Sequence, residues 1–597
     1  MPGIAGIIRN GSRPGVEDDL HTMGTAMRHE AFYSLGQYVN DDSGLYITWT
    51  CHPGGYCDAA PIVSRNVDRI LVFHGEHYDG SKNAATTSSS DLINLLNGDL
   101  ELFLRSLNGW FCGVVVDLSS RRIILFNDRY GMGRVYIHEE SDQFLFASEA
   151  KCLLKLRPHL RAIEPVALAQ YMRFNCVLEN KTLFKGVSLL PPGSSWVFEG
   201  NCQPARRTYF DRRTWEEQPP LSPDQFVDNF IGVVSRIVPM YLKGPHPVGL
   251  SVTAGLDTRM ILAALADEAH PLRCYTFGGA WGETFDIRTG RRLAEINKSP
   301  FDAIRITDGF LKDFPRYAER SVYISDGTHD ALGTHDVYFN EHARKIAPVR
   351  LTGKFGSEIV RVRKLIPTLH YDPNLLVADI AAELAKLGPL SDVLSRHPLS
   401  RVVFEEIGWY EFGRVAIEQS QLTLRTPYMD NELVRLMYRA PAKVRAQGEI
   451  QEQYVRLKSQ QLSEIITNLG SLGTLPQWTN KLSYLIFYLL FKVEYTYLYA
   501  TPHWLTRIDR SLERFRPEQV LAGRQKFEGY RIWLRTHFGD FLRDVLLRPN
   551  SYSAQFFNRA ATEQVIARHL AGTHNYLNDI NKMLTIELLC SSLATGR

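Results

Sequence analysis

Ser251-Val252-Thr253-Ala254-Gly255-Leu256-Asp257-Thr258 is the stretch of the chain whose residue types and spacing best suit handling an anion. It lies between a short apolar run, HPVGLSV, and a helical pattern that turns Ile261, Leu262 and Leu265 inward. A glycine turn entering a helix leaves backbone N–H groups and the positive helix end free for a phosphate. The hydroxyls of Ser251, Thr253 and Thr258 can donate to phosphate oxygens, whereas Asp257 faces a phosphate favourably only across a cation. That combination suggests Mg²⁺-pyrophosphate. It is not a Walker A loop, since no G-x-x-x-x-G-K-S/T occurs there. On this loop alone, a plain tight turn between strand and helix stays open.

The elements that must position the loop follow from pattern. Residues 1 to about 200 alternate short β-type runs with turn signals: GIAGII, GLYITWT, RILVFHGE, WFCGVVVDL, RRIILFND, RVYIHEE and QFLFASE. A polar, Pro-rich stretch from Arg206 to Pro223 suits a connection, and the boundary is placed near residue 215, giving domains 1–215 and 216–597. Ser222 and Pro223 read as N-cap and first turn of a helix with Phe226, Phe230, Val233 and Ile237 at helical spacing, bent or ended by Pro239. HPVGLSV with its loop and helix is one βα unit, PLRCYTFGG with the helical stretch Phe285 to Asn297 a second, and APVRLTG a third strand. From about residue 375 onward the apolar spacing is mostly helical. The most apolar run, Tyr484 to Phe491, is too short to span a bilayer and reads as a buried helix, with a membrane-surface helix as the alternative.

SVTAGLDT resembles the pyrophosphate loop S-G-G-x-D-S of the N-type ATP pyrophosphatases, and the wider chain resembles the asparagine synthetase family. VFHGEHYDG, LNGWFCGVVVDLSSRRIILFNDRYGMGRVYI and FASEAKCLL are similar to that family's glutaminase-type domain. TLFKGVSLLPPGSSWVF looks like the lead into its synthetase domain, LTGKFGSEIVR like its second phosphate-side loop, and RTPYMDNELV like its R-x-P-F-L-D segment. The resemblance spans about residues 1 to 470. It implies a two-sheet α+β glutaminase-like (Ntn-type) domain followed by an α/β parallel-sheet ATP pyrophosphatase domain with a helical C-terminal part. It also implies ATP and Mg²⁺, activation of a carboxylate as an acyl-adenylate, and amide formation. Ser251, Thr253, Ala254, Gly255, Leu256, Asp257, Thr258, Phe277 and Gly278 would then bind the nucleotide, with Asp257 and Glu358 on the metal and Lys354 and Lys458 offsetting charge on the adenylate.

The departures are as informative. Active members begin Met-Cys-Gly and use the exposed cysteine as nucleophile, but here the second residue is Pro2. The N-G-E segment reads His74-Gly75-Glu76, and the arginine expected between Thr50 and Pro61 to clamp the glutamine carboxylate is missing. Three losses in one site point to a retained fold without glutamine hydrolysis. In the synthetase half, Ser357 stands where an aspartate would bind Mg²⁺, with Glu358 beside it as metal ligand or as a helix-starting residue. Arg425 and Asp430 are expected to pair at the domain core.

The global balance fits a soluble, multidomain chain. Lys plus Arg exceed Asp plus Glu by 68 − 65 = 3 among 597 residues, giving no electrostatic case for nucleic-acid or membrane binding. The cysteines are scattered, with no C-x-x-C pair, as expected of reduced thiols in a cytoplasmic protein; Cys51 and Cys57 read as unbridged. The function expected is an ATP-dependent carbon–nitrogen ligase joining a small-molecule or peptide carboxylate to ammonia or a substrate amine. The alternative is a nucleotide-binding pseudoenzyme or scaffold of the same fold. Neither transmembrane segment nor nucleic-acid partner is expected, and a homodimer is left open.

Overall fold

The structure is a computed structural model describing residues 1–10, 15–58, 60–79, 89–266, 268, 271–280, 282–369, 371–442, 444, 449–467, 477–503, 505–506 and 528–594. The N-terminal region forms β1 (Gly3–Arg9), β2 (Ser34–Asn40), β3 (Leu45–Cys51), β4 (Ile62–Ser64), β5 (Arg69–Gly75), β6 (Phe111–Asp117), β7 (Arg122–Asn127), β8 (Tyr136–Glu139), β9 (Gln143–Ala147), β10 (Ser188–Leu189) and β11 (Ser195–Glu199), of which β1, β3 and β5 to β9 are the runs the sequence singles out. They sort into two antiparallel sheets, ordered β10-β8-β9-β1-β3-β2 and β11-β7-β6-β5-β4. Both faces of β3, β6 and β9 are buried, so these strands read as continuous apolar runs rather than alternating ones. Ile4, Ile47, Phe73, Val115, Phe126 and Phe146 belong to the core between the sheets.

The C-terminal part carries an all-parallel sheet of β12 (Val248–Ser251), β13 (Arg273–Gly278), β14 (Phe301–Arg305), β15 (Val349–Leu351) and β16 (Thr423–Arg425), ordered β14-β13-β12-β15-β16. From β12 the chain first builds outward through β13 and β14, then returns to the other side of β12 with β15. The strand order therefore reverses beside β12, and the crevice outside the carboxyl ends of β12 and β15 is where such a sheet binds ligands. The helix Pro223–Met240 leads into β12, opened by a complete capping box between Ser222 and Gln225 and closing one residue after Pro239. A second core runs without a break from Ala5 and Leu145, through Ile261 and Leu351, to Leu589 in the last helix, Leu577–Ala594. Trp215, inside the Pro-rich connection, is buried and packs edge-on against Phe210.

One expectation is overturned. Tyr484 to Phe491 lies within the helix Gln477–Leu498, yet Leu482, Leu485, Ile486, Leu489 and Val493 are each 47% to 55% exposed, so this is not a buried helix. Periodicity identifies an apolar helix but not which neighbour covers it. Among the described residues no helix is long and apolar enough to cross a membrane.

Candidate functional site

The turn Val252–Gly255 leaves the carboxyl end of β12 and enters the helix Leu256–Ala264, whose N-cap Gly255 provides no side-chain cap for the first-turn N–H groups. The loop already holds one anion: Ala254 N–H donates to the Asp286 carboxylate at 2.8 Å. Thr253 and Thr258 hydroxyls lie 3.4 Å apart, and Thr253 is exposed to the crevice. Arg259 is wholly buried, donating to the carbonyls of Leu462, Ile465 and Ile466, which ties this helix to the segment after helix Ile450–Lys458.

The second loop, after β15, meets the first at very short range. A Cβ on Gly353 would come 2.7 Å from the Thr258 backbone nitrogen, and one on Gly356 2.5 Å from the Asp257 carboxyl carbon. Glycine is required at both positions by this close approach. Phe355 between them adopts φ +70, the left-handed region that brings the loop back into the short helix Gly356–Val360.

The Asp257 carboxylate is the focus of the crevice. Its Oδ2 accepts from Ser357 Oγ at 2.8 Å, and its Oδ1 accepts from Gln451 Nε2 at 2.7 Å. Arg361 Nη2 lies 3.5 Å from the same Oδ1 and also donates to Ser357 Oγ. Tyr428 OH donates to the Asp257 backbone carbonyl at 2.8 Å. Gln451, Arg361, Tyr428 and Asp286 were not foreseen from sequence. Only Arg361 left a signal, standing four residues after Ser357 and so on the same helix face.

The cation prepared beside Asp257 in this structure is a guanidinium rather than a preformed metal position. Both Asp257 oxygens are taken by protein donors, and the positive charge beside them is a guanidinium. Among the described residues no group of three or more His, Cys, Asp or Glu side chains converges on a metal position. Glu358 instead carries a carboxyl pushed up to about 7, first by burial and then by the Asp257 and Glu411 carboxylates. The folded protein therefore retains a proton on Glu358, between its ordinary 4.5 and about 7, that the unfolded chain has released. Stability from this group falls as pH rises through that window and is level above it. Glu358→Gln should flatten that slope, so the variant's thermal midpoint should gain on the unmodified protein's between pH 5 and pH 8; parallel pH curves for the two would refute the assignment.

The remaining expected site residues are placed as follows. Lys354 is not directed at the loop: its Nζ lies 3.0 Å from Glu418 and 3.6 Å from Glu411. Lys458 is exposed at the end of the helix that bears Gln451, seven residues and so about 10 Å further along it. Phe277 stacks on Phe339 at 4.6 Å, and a Cβ on Gly278 would strike Ile287, so both serve packing at the end of β13. Arg425 and Asp430 do not pair. Arg425 donates to Glu76 through Nε at 3.0 Å and 2.9 Å and through Nη2 at 2.5 Å, while Asp430 accepts from Asn108 at 2.8 Å and Tyr241 at 3.1 Å. Both bind the two halves of the chain to each other.

Pro2, His74, Gly75 and Glu76 are brought together on one cavity at that junction, walled on the far side by Leu424, Arg425 and Thr426. Burial lowers the His74 imidazole to about 4, so it is neutral. The thiol on this cavity, Cys51, is pushed up to about 11 by burial and is a poor nucleophile. All eight cysteines are free, Cys51 and Cys57 included.

Residues 1–210 match the family model of a glutamine amidotransferase domain, which defines the class of the N-terminal domain. A Methanocaldococcus jannaschii protein named for glutamine-hydrolyzing asparagine synthetase is 22% identical over 401 residues, covering 60% of this chain and 75% of that relative. The asparagine synthetase (glutamine-hydrolyzing) 1 of Bacillus subtilis is 25% identical over 302 residues, 48% of this chain and 47% of its own length. Over these spans the chain is similar to asparagine synthetases and carries a glutamine amidotransferase domain at its N-terminus. A solved glutamine phosphoribosylpyrophosphate amidotransferase of B. subtilis aligns with 51% of the chain and 80% of its own at 11% identity and a TM-score of 0.24, too low to add to the argument.

Proposed function

We propose that the protein is an ATP-dependent, amide-forming ligase whose C-terminal half is an ATP pyrophosphatase domain. A carboxylate oxygen of the substrate attacks the α-phosphorus of ATP, the bond to the β-phosphate breaks, and pyrophosphate leaves. An amine nitrogen then attacks the acyl carbon of the adenylate, AMP departs with the bridging oxygen, and the nitrogen sheds a proton. The observation that carries this reading is the N-terminus of helix Leu256–Ala264 at the carboxyl end of β12, whose first-turn N–H groups no side chain caps and whose preceding turn binds a carboxylate through Ala254 N–H. Developing negative charge on the departing phosphates would fall on such donors. Calorimetric titration with ATP tests it: saturable binding is expected. No binding at millimolar ATP, with and without Mg²⁺, would leave the scaffold reading, which the engagement of Lys354 by Glu418 favours.

The amine in this reading does not come from glutamine. Pro2 offers no thiol, Cys51 is a buried and unreactive one, and no arginine stands between Thr50 and Pro61. The unmodified protein should release no glutamate from glutamine above a no-enzyme control. Pro2→Cys alone should not restore hydrolysis, because orientation and oxyanion stabilisation stay absent. Glutamate release by either protein would contradict this.

A further inference from the structure

A carboxylate in a turn that receives polyphosphate repels its ligand unless a cation stands beside it. This chain carries such a cation. Arg361 Nη2 lies 3.5 Å from Asp257 Oδ1 and also donates to Ser357 Oγ, whose hydroxyl donates to Asp257 Oδ2 at 2.8 Å. Gln451 holds the other side of the carboxylate at 2.7 Å. The guanidinium is thus fixed by a carboxylate and a hydroxyl, while its own Nε, also buried, finds no acceptor in the protein. Both side chains are sheltered without being sealed, Arg361 being 16% and Asp257 19% exposed.

We propose that Arg361 is the resident cation of the polyphosphate site, standing where a divalent ion would otherwise bridge Asp257 to the phosphates. The proposal rests on the reading that the turn Val252–Gly255 holds the nucleotide's phosphates. A planar fork of five donors matches phosphate oxygens and is held in place before the ligand arrives. The residue at 357 matches this arrangement: a serine hydroxyl can both accept from Arg361 and donate to Asp257, whereas a carboxylate there would add negative charge and call for a metal. The ligand class is a pyrophosphate group, free or as the tail of a nucleoside triphosphate.

The test is calorimetric titration of the full chain with inorganic pyrophosphate, in EDTA and in Mg²⁺. Metal-free binding is expected within about threefold of that in Mg²⁺. Arg361→Ala should weaken metal-free binding by about 30-fold, the worth of a charge-assisted hydrogen-bond pair. Arg361→Lys should fall between, as a point charge without the fork. Ser357→Asp/Arg361→Gly should bind pyrophosphate only when Mg²⁺ is present. Near-UV circular dichroism checks that the variants fold, and the comparison of EDTA with Mg²⁺ needs no variant. Binding by the unmodified protein only in Mg²⁺, or metal-free binding unchanged in Arg361→Ala, would overturn the role of Arg361 and leave the ligase reading standing. No pyrophosphate binding in either condition would overturn both.

Discussion

Replacing Glu76 by alanine is expected to cost about 3–5 kcal/mol, because it leaves the Arg425 guanidinium buried without a counter-charge. Arg425 is 4% exposed, and three of its hydrogen bonds go to the Glu76 carboxylate. Its Nη1 donates to the carbonyls of Tyr241 at 2.9 Å and Lys243 at 2.7 Å, so the side chain cannot swing out without stranding two further acceptors. For a cooperative unit of about 200 residues, a loss of this size lowers the thermal midpoint by on the order of 10 °C. Arg425→Met combined with Glu76→Ala should recover only part of it. The double change removes the uncompensated charge but still orphans the two carbonyls. Differential scanning calorimetry decides: a shift below about 2 °C for Glu76→Ala would mean that the pair is open to water and worth only what a surface pair is worth.

The same pair shows where the sequence stops being readable. Strands β1, β3 and β5 to β9 stand out because β-branched and aromatic runs are bounded by turn residues, and the βα unit around Asp257 because glycine, hydroxyl and helix pattern follow within a dozen residues; β2, β4, β10 and β11 do not stand out as strands. Those signals are local. Glu76 and Arg425 are 349 positions apart, and Asp257 and Gln451 are 194 apart, so nothing in either neighbourhood announces the contact. Lys354 looked like a free cation for the adenylate, but Glu411 and Glu418 come from a later helix and draw it away. The helix Gln477–Leu498, whose Leu485, Ile486 and Leu489 are exposed, misled for a related reason: hydrophobicity states what a segment would gain by burial, not that it is buried.

Asp257→Asn is expected to lower adenylate formation at least 100-fold, about 2.7 kcal/mol of transition-state stabilisation, without raising the KM for ATP. The substitution keeps size and shape, so the backbone contact of Tyr428 with residue 257 should survive and the fold with it. What is lost is the negative charge that orients Arg361 and the second oxygen that accepts from Ser357 or Gln451. The asparagine amide is itself a donor and would face one of those donors across less than 3 Å. Ground-state binding of a polyanion gains from removing a carboxylate, whereas the departing pyrophosphate loses a cation held in one place. The two effects oppose each other in KM and combine in kcat, and that split separates this role from a merely structural one. ATP–pyrophosphate exchange, run with a carboxylate identified by screening the unmodified protein, gives both parameters. Exchange by Asp257→Asn at the unmodified rate would show that Asp257 does not organise the phosphate site.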